Sequence, residues 1–366
     1  MNMQNYMCSE TDFFVGRRGQ LKRYLVCSLQ GYFPVLVKTG ARALSVIYRT
    51  GGTHVSLSAT LAVSNSMDGG VSWSDPLEIA PRWSDARNPA LGINNKGELI
   101  AAYWTAREIY DFQDGHVNAI GNRKGQNLNN FFSKSADGGR TWSKPQKLHY
   151  EHLCLGQPYG RIITAPDGTL LMSIYGIPTG DDECKKNRVC LIRSRDGGDS
   201  WSDETIVAED FNETSFSFMP DGTLVAAARN WSQGAFVATL FSNDGGYTWS
   251  DPQQITRAAE HPADLTLLQS GRLLMTFGRR RRPMGCGALI SEDFGKTWQR
   301  DREILLAGDG IRNGDLGYPS TVQLDDGTIV TVMYYACGSS ESSDGRNWGD
   351  ISCQALHYHE EDIHGF

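Results

Sequence analysis

The sequence predicts an all-β chain folded as one six-bladed β-propeller spanning residues 1–366. Three observations carry that prediction: a hairpin motif that recurs five times, a second turn motif that recurs six times, and a composition suited to turns. The chain has 366 residues, with 40 glycines, 9 tryptophans and 14 tyrosines. Hydrophobic residues make up 40% and charged residues 21%, which allows a sizeable core and excludes a disordered chain.

The hairpin motif reads Ser66-Met-Asp-Gly-Gly-Val-Ser-Trp73 at its first occurrence and returns at 135–142, 194–201 and 242–249. A fifth copy, Ser291-Glu-Asp-Phe-Gly-Lys-Thr-Trp298, replaces one glycine. Asp and Ser/Thr side chains bond nearby backbone amides, glycine supplies positive φ, and Trp packs across the turn. The second motif is a polar-Gly turn before a short apolar strand. It occurs at Lys38-Thr-Gly40, Asn95-Lys-Gly97, Pro166-Asp-Gly168, Pro220-Asp-Gly222, Gln269-Ser-Gly271 and Asp325-Asp-Gly327. Six such turns, roughly 50–70 residues apart, match the period of four-stranded blades. The stretches Tyr24–Cys27 and Ile351–Leu356 are expected to share the closing blade, which removes open sheet edges.

Inner strands line the axis of a propeller, so equivalent positions form a ring. Nine residues before each turn glycine stand Asn88, Tyr159, Glu213, Pro262 and Tyr318, with Tyr32 or Phe33 in the shorter first repeat. Seven after the glycine, the returning strand brings Trp104, Tyr175, Arg229 and Tyr334 to the same rim. Glu213 and Arg229 become cross-strand neighbours at one mouth.

A net charge of −7 argues against nucleic acid as a partner. No apolar run approaches the roughly 18 residues of a membrane span. The first ten residues show no basic stretch leading into an apolar one, so the expected location is the cytoplasm, unless an export signal has been trimmed. Cysteines 8, 27, 154, 184, 190, 286, 337 and 353 form no C-x-x-C pair and no zinc spacing, and are expected as buried free thiols. Asn212-Glu-Thr and Asn230-Trp-Ser match the glycosylation sequon, a short pattern that carries little without export. No metal and no cofactor are expected, and the oligomeric state is open.

The five hairpins resemble the Asp-box of the sialidase (BNR-repeat) superfamily, and the resemblance covers nearly the whole chain. It implies an exo-acting glycoside hydrolase with a carbohydrate substrate, a terminal acidic sugar. The family's Glu, D-G turn and following Arg are similar to Glu213, Asp221-Gly222 and Arg229. Its nucleophilic Tyr opening the last repeat resembles Tyr318, followed by Asp326-Gly-Thr-Ile329. A neutral Tyr activated by Glu suits attack on an anomeric carbon that already carries a carboxylate, where a carboxylate nucleophile is repelled. The family's three arginines clamp that carboxylate through bidentate geometry.

Two family elements are absent. The first arginine belongs to an R-I-P segment, which here reads Tyr32-Phe33-Pro34, and residues 49–64 hold no Asp or Glu to act as acid/base. His54 is the proton donor in that stretch, with Asp264 and Asp85 as alternatives elsewhere. Arg161, Arg87 and the run Arg279–Arg282, represented by Arg279 and Arg282, are candidates to complete the clamp, and Tyr159 and His261 stand on the rim. The alternatives are a hydrolase of the same fold acting on a deoxyhexose or uronic-acid-linked sugar, and a non-catalytic glycan-binding propeller.

Overall fold

A computed structural model of the chain describes residues 13–15, 21–28, 30–107, 110–113, 116–119, 129–179, 186–310, 314–336 and 351–363. Among them the structure is almost entirely β. Strands β1 (Phe13–Val15) and β2 (Lys22–Cys27) precede β3 (Tyr32–Lys38), β4 (Leu44–Thr50), β5 (Thr60–Ser66) and β6 (Leu77–Glu78). Next come β7 (Ala86–Ile93), β8 (Leu99–Thr105), a small hairpin of β9 (Tyr110–Gln113) and β10 (His116–Ala119), then β11 (Asn129–Ser135) and β12 (Gln146–Leu148). Strands β13 (Leu153–Thr164), β14 (Leu170–Pro178), β15 (Arg188–Ser194) and β16 (Ser202–Glu209) follow. The same pattern repeats in β17 (Phe211–Phe218), β18 (Leu224–Asn230), β19 (Val237–Ser242) and β20 (Gln253–Gln254). It repeats again in β21 (Glu260–Leu267), β22 (Leu273–Arg279), β23 (Met284–Ser291) and β24 (Glu303–Gly310). The last strands are β25 (Gly317–Gln323), β26 (Ile329–Ala336) and β27 (Ile351–Tyr358), before a short helix α1 (Glu360–Ile363).

These strands form a propeller-like arrangement of antiparallel sheets. Sheets β3-β4-β5-β6 and β17-β18-β19-β20 are separate, and β21 to β24 form a third with β1 on its outer edge. Strand β2 pairs antiparallel with β27 in the order β2-β27-β26-β25, so a strand from the N-terminal part of the chain completes the sheet of the last three strands. Strands β7 to β16, apart from the small hairpin, make one eight-stranded sheet, because β13 runs parallel to β7. Gly92 permits that junction, since a Cβ there would sit 2.4 Å from the carbonyl oxygen of Ile162. Each inner strand packs on the next, from β3 through β7, β13, β17 and β21 to β25, and β25 returns to β3.

The buried apolar side chains form separate layers between adjacent sheets. Val35, Ile47 and Leu61 meet Leu91, Leu99 and Tyr103, and Leu36, Tyr48 and Ala62 meet Val322, Val332 and Ala355. Cys27, Cys190, Cys286 and Cys353 are buried free thiols, and Cys154 is half-buried. Cys8, Cys184 and Cys337 lie outside the described residues. Asn212 and Asn230 are 8% and 1% exposed, which removes both as glycan acceptors in the folded chain. Among the described residues no helix is long and apolar enough to cross a membrane.

The five Asp-boxes cap the outer hairpins and join neighbouring sheets. In the first, the amides of Val71 and Ser72 donate to Asp68 Oδ1 (3.1 and 3.0 Å), Ser72 Oγ donates to Oδ2 (2.6 Å), and Gly70 N donates to Ser66 Oγ (2.7 Å). The second glycine of each box abuts the preceding sheet: a Cβ on Gly246 would lie 2.6 Å from Leu191, and one on Gly139 would lie 2.8 Å from Asn65. The box is therefore a stitch as well as a turn. Although burial works against its charge, hydrogen bonds from Ser72, Ser66 and Val71 hold the Asp68 carboxyl at about 2, against an ordinary 3.8. A depressed folded pKa stabilises above the unfolded value and is lost as pH falls through the folded one. The stability advantage of wild type over Asp68→Asn is thus expected to be full at pH 5 and to shrink from about pH 4 toward pH 2. Urea midpoints of both proteins at pH 5 and pH 3 check this; an advantage unchanged between them contradicts it.

Candidate active site

Each inner strand breaks register with its partner near one end. The shifts fall between Tyr32 and Val35, Arg87 and Ala90, Tyr159 and Ile163, Phe211 and Thr214, Glu260 and Ala263, and Gly317 and Ser320. A bulge places two residues against one and re-aims a side chain. Phe33, Asn88 and Tyr318 sit in these bulges at φ of 53°, 37° and 50°. Such backbone costs on the order of 1–3 kcal/mol per residue and clusters where side-chain aim matters. The bulge also settles the first repeat, where Phe33 takes the rim position.

The strands bring Tyr318, Glu213 and Arg229 together. Tyr318 Oη donates to Glu213 Oε1 at 2.6 Å, and Arg229 Nη1 pairs with Glu213 Oε2 and reaches Tyr318 Oη at 3.3 Å. All three are 6% exposed or less. Asn88 Nδ2 donates to Glu213 Oε1 (3.2 Å) and to Tyr175 Oη (3.1 Å), and Tyr175 Oη donates to Gln157 (2.7 Å). Burial, with help from the Glu213 charge, pushes the Tyr318 phenol well up, against the pull of Arg229 and Arg280. The phenol is neutral at pH 7, and its nearest base is Glu213. For Arg229, burial opposes the charge, but the charge and hydrogen bond of Glu213, with Tyr318 and Tyr175, together raise an already high pKa.

Aromatic rings wall this mouth. Phe33 lies 4.8 Å from Tyr318 edge-on, Tyr334 stacks on Tyr318 at 5.6 Å, and Tyr159 packs at 6.2 Å. Exposed Trp231 covers the Arg229 guanidinium at 4.5 Å. His54 meets Phe33 at 4.9 Å, and its Nδ1 is 2.8 Å from Asp315 Oδ2. His261 is 3% exposed with Nδ1 buried and unpartnered; burial, then the charges of Arg229 and Arg280, keep its imidazole neutral.

Most of the other expected residues are held by neighbours of their own. Arg279 is fully buried behind the rim, donating to Glu303 (2.8 Å) and to the carbonyls of Arg281 and Pro283. Arg282 is exposed on the following turn. The arginine of that run that reaches the site is Arg280, its guanidinium carbon 5.6 Å from the Tyr318 ring centre and its Nε and Nη2 buried without partners. Arg281 is held by Glu260 and Glu303. Arg161 and Asp264 pair with each other at 3.0 Å. Arg161 also donates to the carbonyls of Leu265 and Thr321, while Asp264 accepts from Thr321 N at 2.7 Å. They tie three inner strands together and, with Tyr318 and Asn88, line a small cavity of about 20 Å³. Burial pushes the Asp264 carboxyl up, against Arg161 and its hydrogen bonds. Asp85, 0% exposed, bridges Arg49 and Arg87, which places it out of reach as a proton donor, and Arg87 lies over Trp104.

Sequence reasoning missed Asp315, an isolated acid with no motif around it, and Trp231, whose only signal was its place two residues after Arg229. It found Arg280 only as part of a run. Among the described residues no group of three or more His, Cys, Asp or Glu side chains could hold a metal ion.

The model of the BNR repeat-like domain matches residues 62–331. A sialidase of Bacteroides fragilis is 23% identical over 297 residues, covering 74% of this chain and 53% of its own length, so the chain spans about half of that relative. A protein of unknown function from Dyadobacter fermentans superposes with a TM-score of 0.74 at 22% identity, over 93% of this chain and 99% of the other. A Trypanosoma rangeli sialidase in complex with sialic acid superposes with a TM-score of 0.68 at 14% identity, over 95% and 60%. At such identities the structural likeness concerns the fold. The repeat model spans most of the chain, and the chain belongs to the BNR repeat-like family of the sialidase superfamily.

Proposed function

We propose that the chain is an exo-acting glycoside hydrolase for a terminal acidic sugar, built as a single six-bladed propeller. In this reading the eight-stranded sheet counts as two blades fused along β7 and β13, and the unbroken ring of six inner strands supports it. The observation that carries the activity is the Tyr318–Glu213–Arg229 contact, a phenol hydrogen-bonded to a base beside a buried cation. Glu213 takes the proton of Tyr318 as the phenol oxygen attacks the anomeric carbon. Arg229 and Arg280 hold the sugar's carboxylate, since both keep buried N–H groups without partners. Phe33 and Tyr32 occupy the segment where the family carries its first arginine, so two guanidinium groups and an aromatic wall form the clamp.

Incubation with aryl α-glycosides of sialic acid, uronic acids and deoxyhexoses tests the reading. Aglycone release from the sialoside is expected. Release from a deoxyhexoside alone shifts the substrate to a neutral sugar, and binding without release across the panel leaves a glycan-binding protein. The arginine assignment gives a sharper result. A charge-assisted hydrogen bond is worth about 1.5–3 kcal/mol, so Arg280→Ala is expected to weaken N-acetylneuraminate binding by roughly tenfold to a hundredfold. Arg282→Ala should leave it within about twofold. Calorimetric titration distinguishes the two; equal effects would return Arg280 to the solvated surface.

A further inference from the structure

We infer that His54 and Asp315 form the proton-transfer pair of this site, with His54 Nε2 serving the leaving group and Asp315 holding Nδ1. The inference rests on the glycosidase reading and supplies the donor which that reading leaves open.

Elimination among the described groups at this mouth leads to His54. Asp85 and Asp264 are sealed in ion pairs. Glu213 is engaged by Tyr318, Arg229 and Asn88. His261 is kept neutral by burial and two arginines, so it has no imidazolium proton to give. Burial opposes the charge on Asp315, but His54, Tyr334 and Arg280 together hold its carboxyl below the ordinary carboxylate value. Asp315 is therefore an anion, suited to orienting a histidine and unsuited to donating.

The placement of His54 is built from three sides. Asp315 Oδ2 stands 2.8 Å from Nδ1, and Asp315 Oδ1 accepts from Tyr334 Oη at 2.6 Å. Tyr334 in turn stacks on Tyr318, so the same ring that fixes the carboxylate abuts the nucleophile. Arg49 donates to the carbonyls of Thr53 (2.8 Å) and Ser56 (3.2 Å), which clamps the loop on both sides of His54. The imidazole also packs edge-on to Tyr32 and Phe33, and one ring, Phe33, separates it from Tyr318. Its side chain is 31% exposed. A carboxylate on Nδ1 fixes the tautomer and the orientation of the ring, the division of labour seen in carboxylate–histidine pairs generally.

The proton balance is complete without any further reagent. In the first half, Tyr318 Oη bonds to the anomeric carbon and gives its proton to Glu213. The glycosidic C–O bond breaks, its electron pair stays on the aglycone oxygen, and imidazolium Nε2–H protonates that oxygen to an alcohol. In the second half, Nε2 takes a proton from water, the hydroxyl bonds to the anomeric carbon, the C–O bond to Tyr318 breaks, and Glu213 returns the phenol proton.

Kinetics of wild type, His54→Ala and Asp315→Asn on the 4-nitrophenyl and methyl α-glycosides of N-acetylneuraminic acid test the pair. General acid catalysis is worth about 10²–10⁴-fold and matters most for a poor leaving group. His54→Ala is expected to lose roughly a hundredfold or more in kcat/KM on the methyl glycoside and under about tenfold on the nitrophenyl one. Asp315→Asn should show the same bias at smaller size. Equal losses on both substrates overturn the inference, because disturbed packing does not sense the aglycone. A wild-type protein that cleaves neither glycoside sinks the hydrolase reading itself. ¹⁵N spectra of the wild-type imidazole add a readout without substrate: the neutral ring should carry its proton on Nδ1, and a proton on Nε2 overturns the pairing.

Discussion

Tyr318→Phe is expected to lower kcat on the best sialoside by roughly a thousandfold or more while leaving the fold intact. Removing a nucleophile that works as a unit with its base costs several orders of magnitude, of which binding and electrostatics retain a remainder. Here the unit is tight: the phenol is buried and its oxygen is 2.6 Å from Glu213 Oε1, which places the base to take its proton in the proposed attack. The substitution deletes one hydroxyl and keeps the ring that packs on Phe33, Tyr159 and Tyr334, so the structural cost is about 1 kcal/mol. KM should change little, because the proposed carboxylate contacts are those of Arg229 and Arg280. Initial-rate measurements with a circular-dichroism melt check both halves. Wild-type turnover by the Phe variant would remove Tyr318 as nucleophile, and with it the reason for placing a neutral phenol beside the arginines.

The repeat made most of this site legible before any coordinates. Once six turns are in register, a count from each glycine names Asn88, Glu213 and Tyr318 on one strand and Arg229 on its partner, and the bulges place these residues where the count does. What the count lacks is the third dimension. Arg279 and Arg280 are adjacent, yet one is paired with Glu303 behind the sheet and the other lies against Tyr318; which of them turns inward depends on Glu260 and Glu303, acids that no local pattern links to the run. Arg161 and Asp264 were likewise placed on inner strands and line the same cavity as Tyr318, but they are paired to each other and to Leu265 and Thr321, contacts that no local pattern announces. Asp315 was invisible because its partner His54 lies 261 residues away and belongs to a different sheet.

The second large effect concerns stability. Asp85→Ala is expected to cost about 3–5 kcal/mol, because it leaves a buried cation without its counter-charge. Asp85 Oδ1 is 2.5 Å from Arg49 Nη1 with both side chains 0% exposed, and Asp85 Oδ2 pairs with Arg87. Removing the cation together with the acid should restore part of the loss, since apolar side chains of similar volume replace buried ion pairs at little net cost. Arg49→Met combined with Asp85→Ala is thus expected to be less destabilising than the sum of the single changes, by an interaction energy of about 1–3 kcal/mol. Urea titrations of the four proteins give that cycle directly. The kinetic consequence separates this pair from an ordinary core contact. Arg49 also holds the carbonyls of Thr53 and Ser56, so a disturbed Arg49 loosens the loop that aims His54. The Asp85→Ala protein, assayed below its unfolding transition, should then lose more activity on the methyl than on the nitrophenyl sialoside. A loss under about 1 kcal/mol would mean that Arg49 finds another anion or water when Asp85 is gone, and an unbiased loss of activity would uncouple the ion pair from His54.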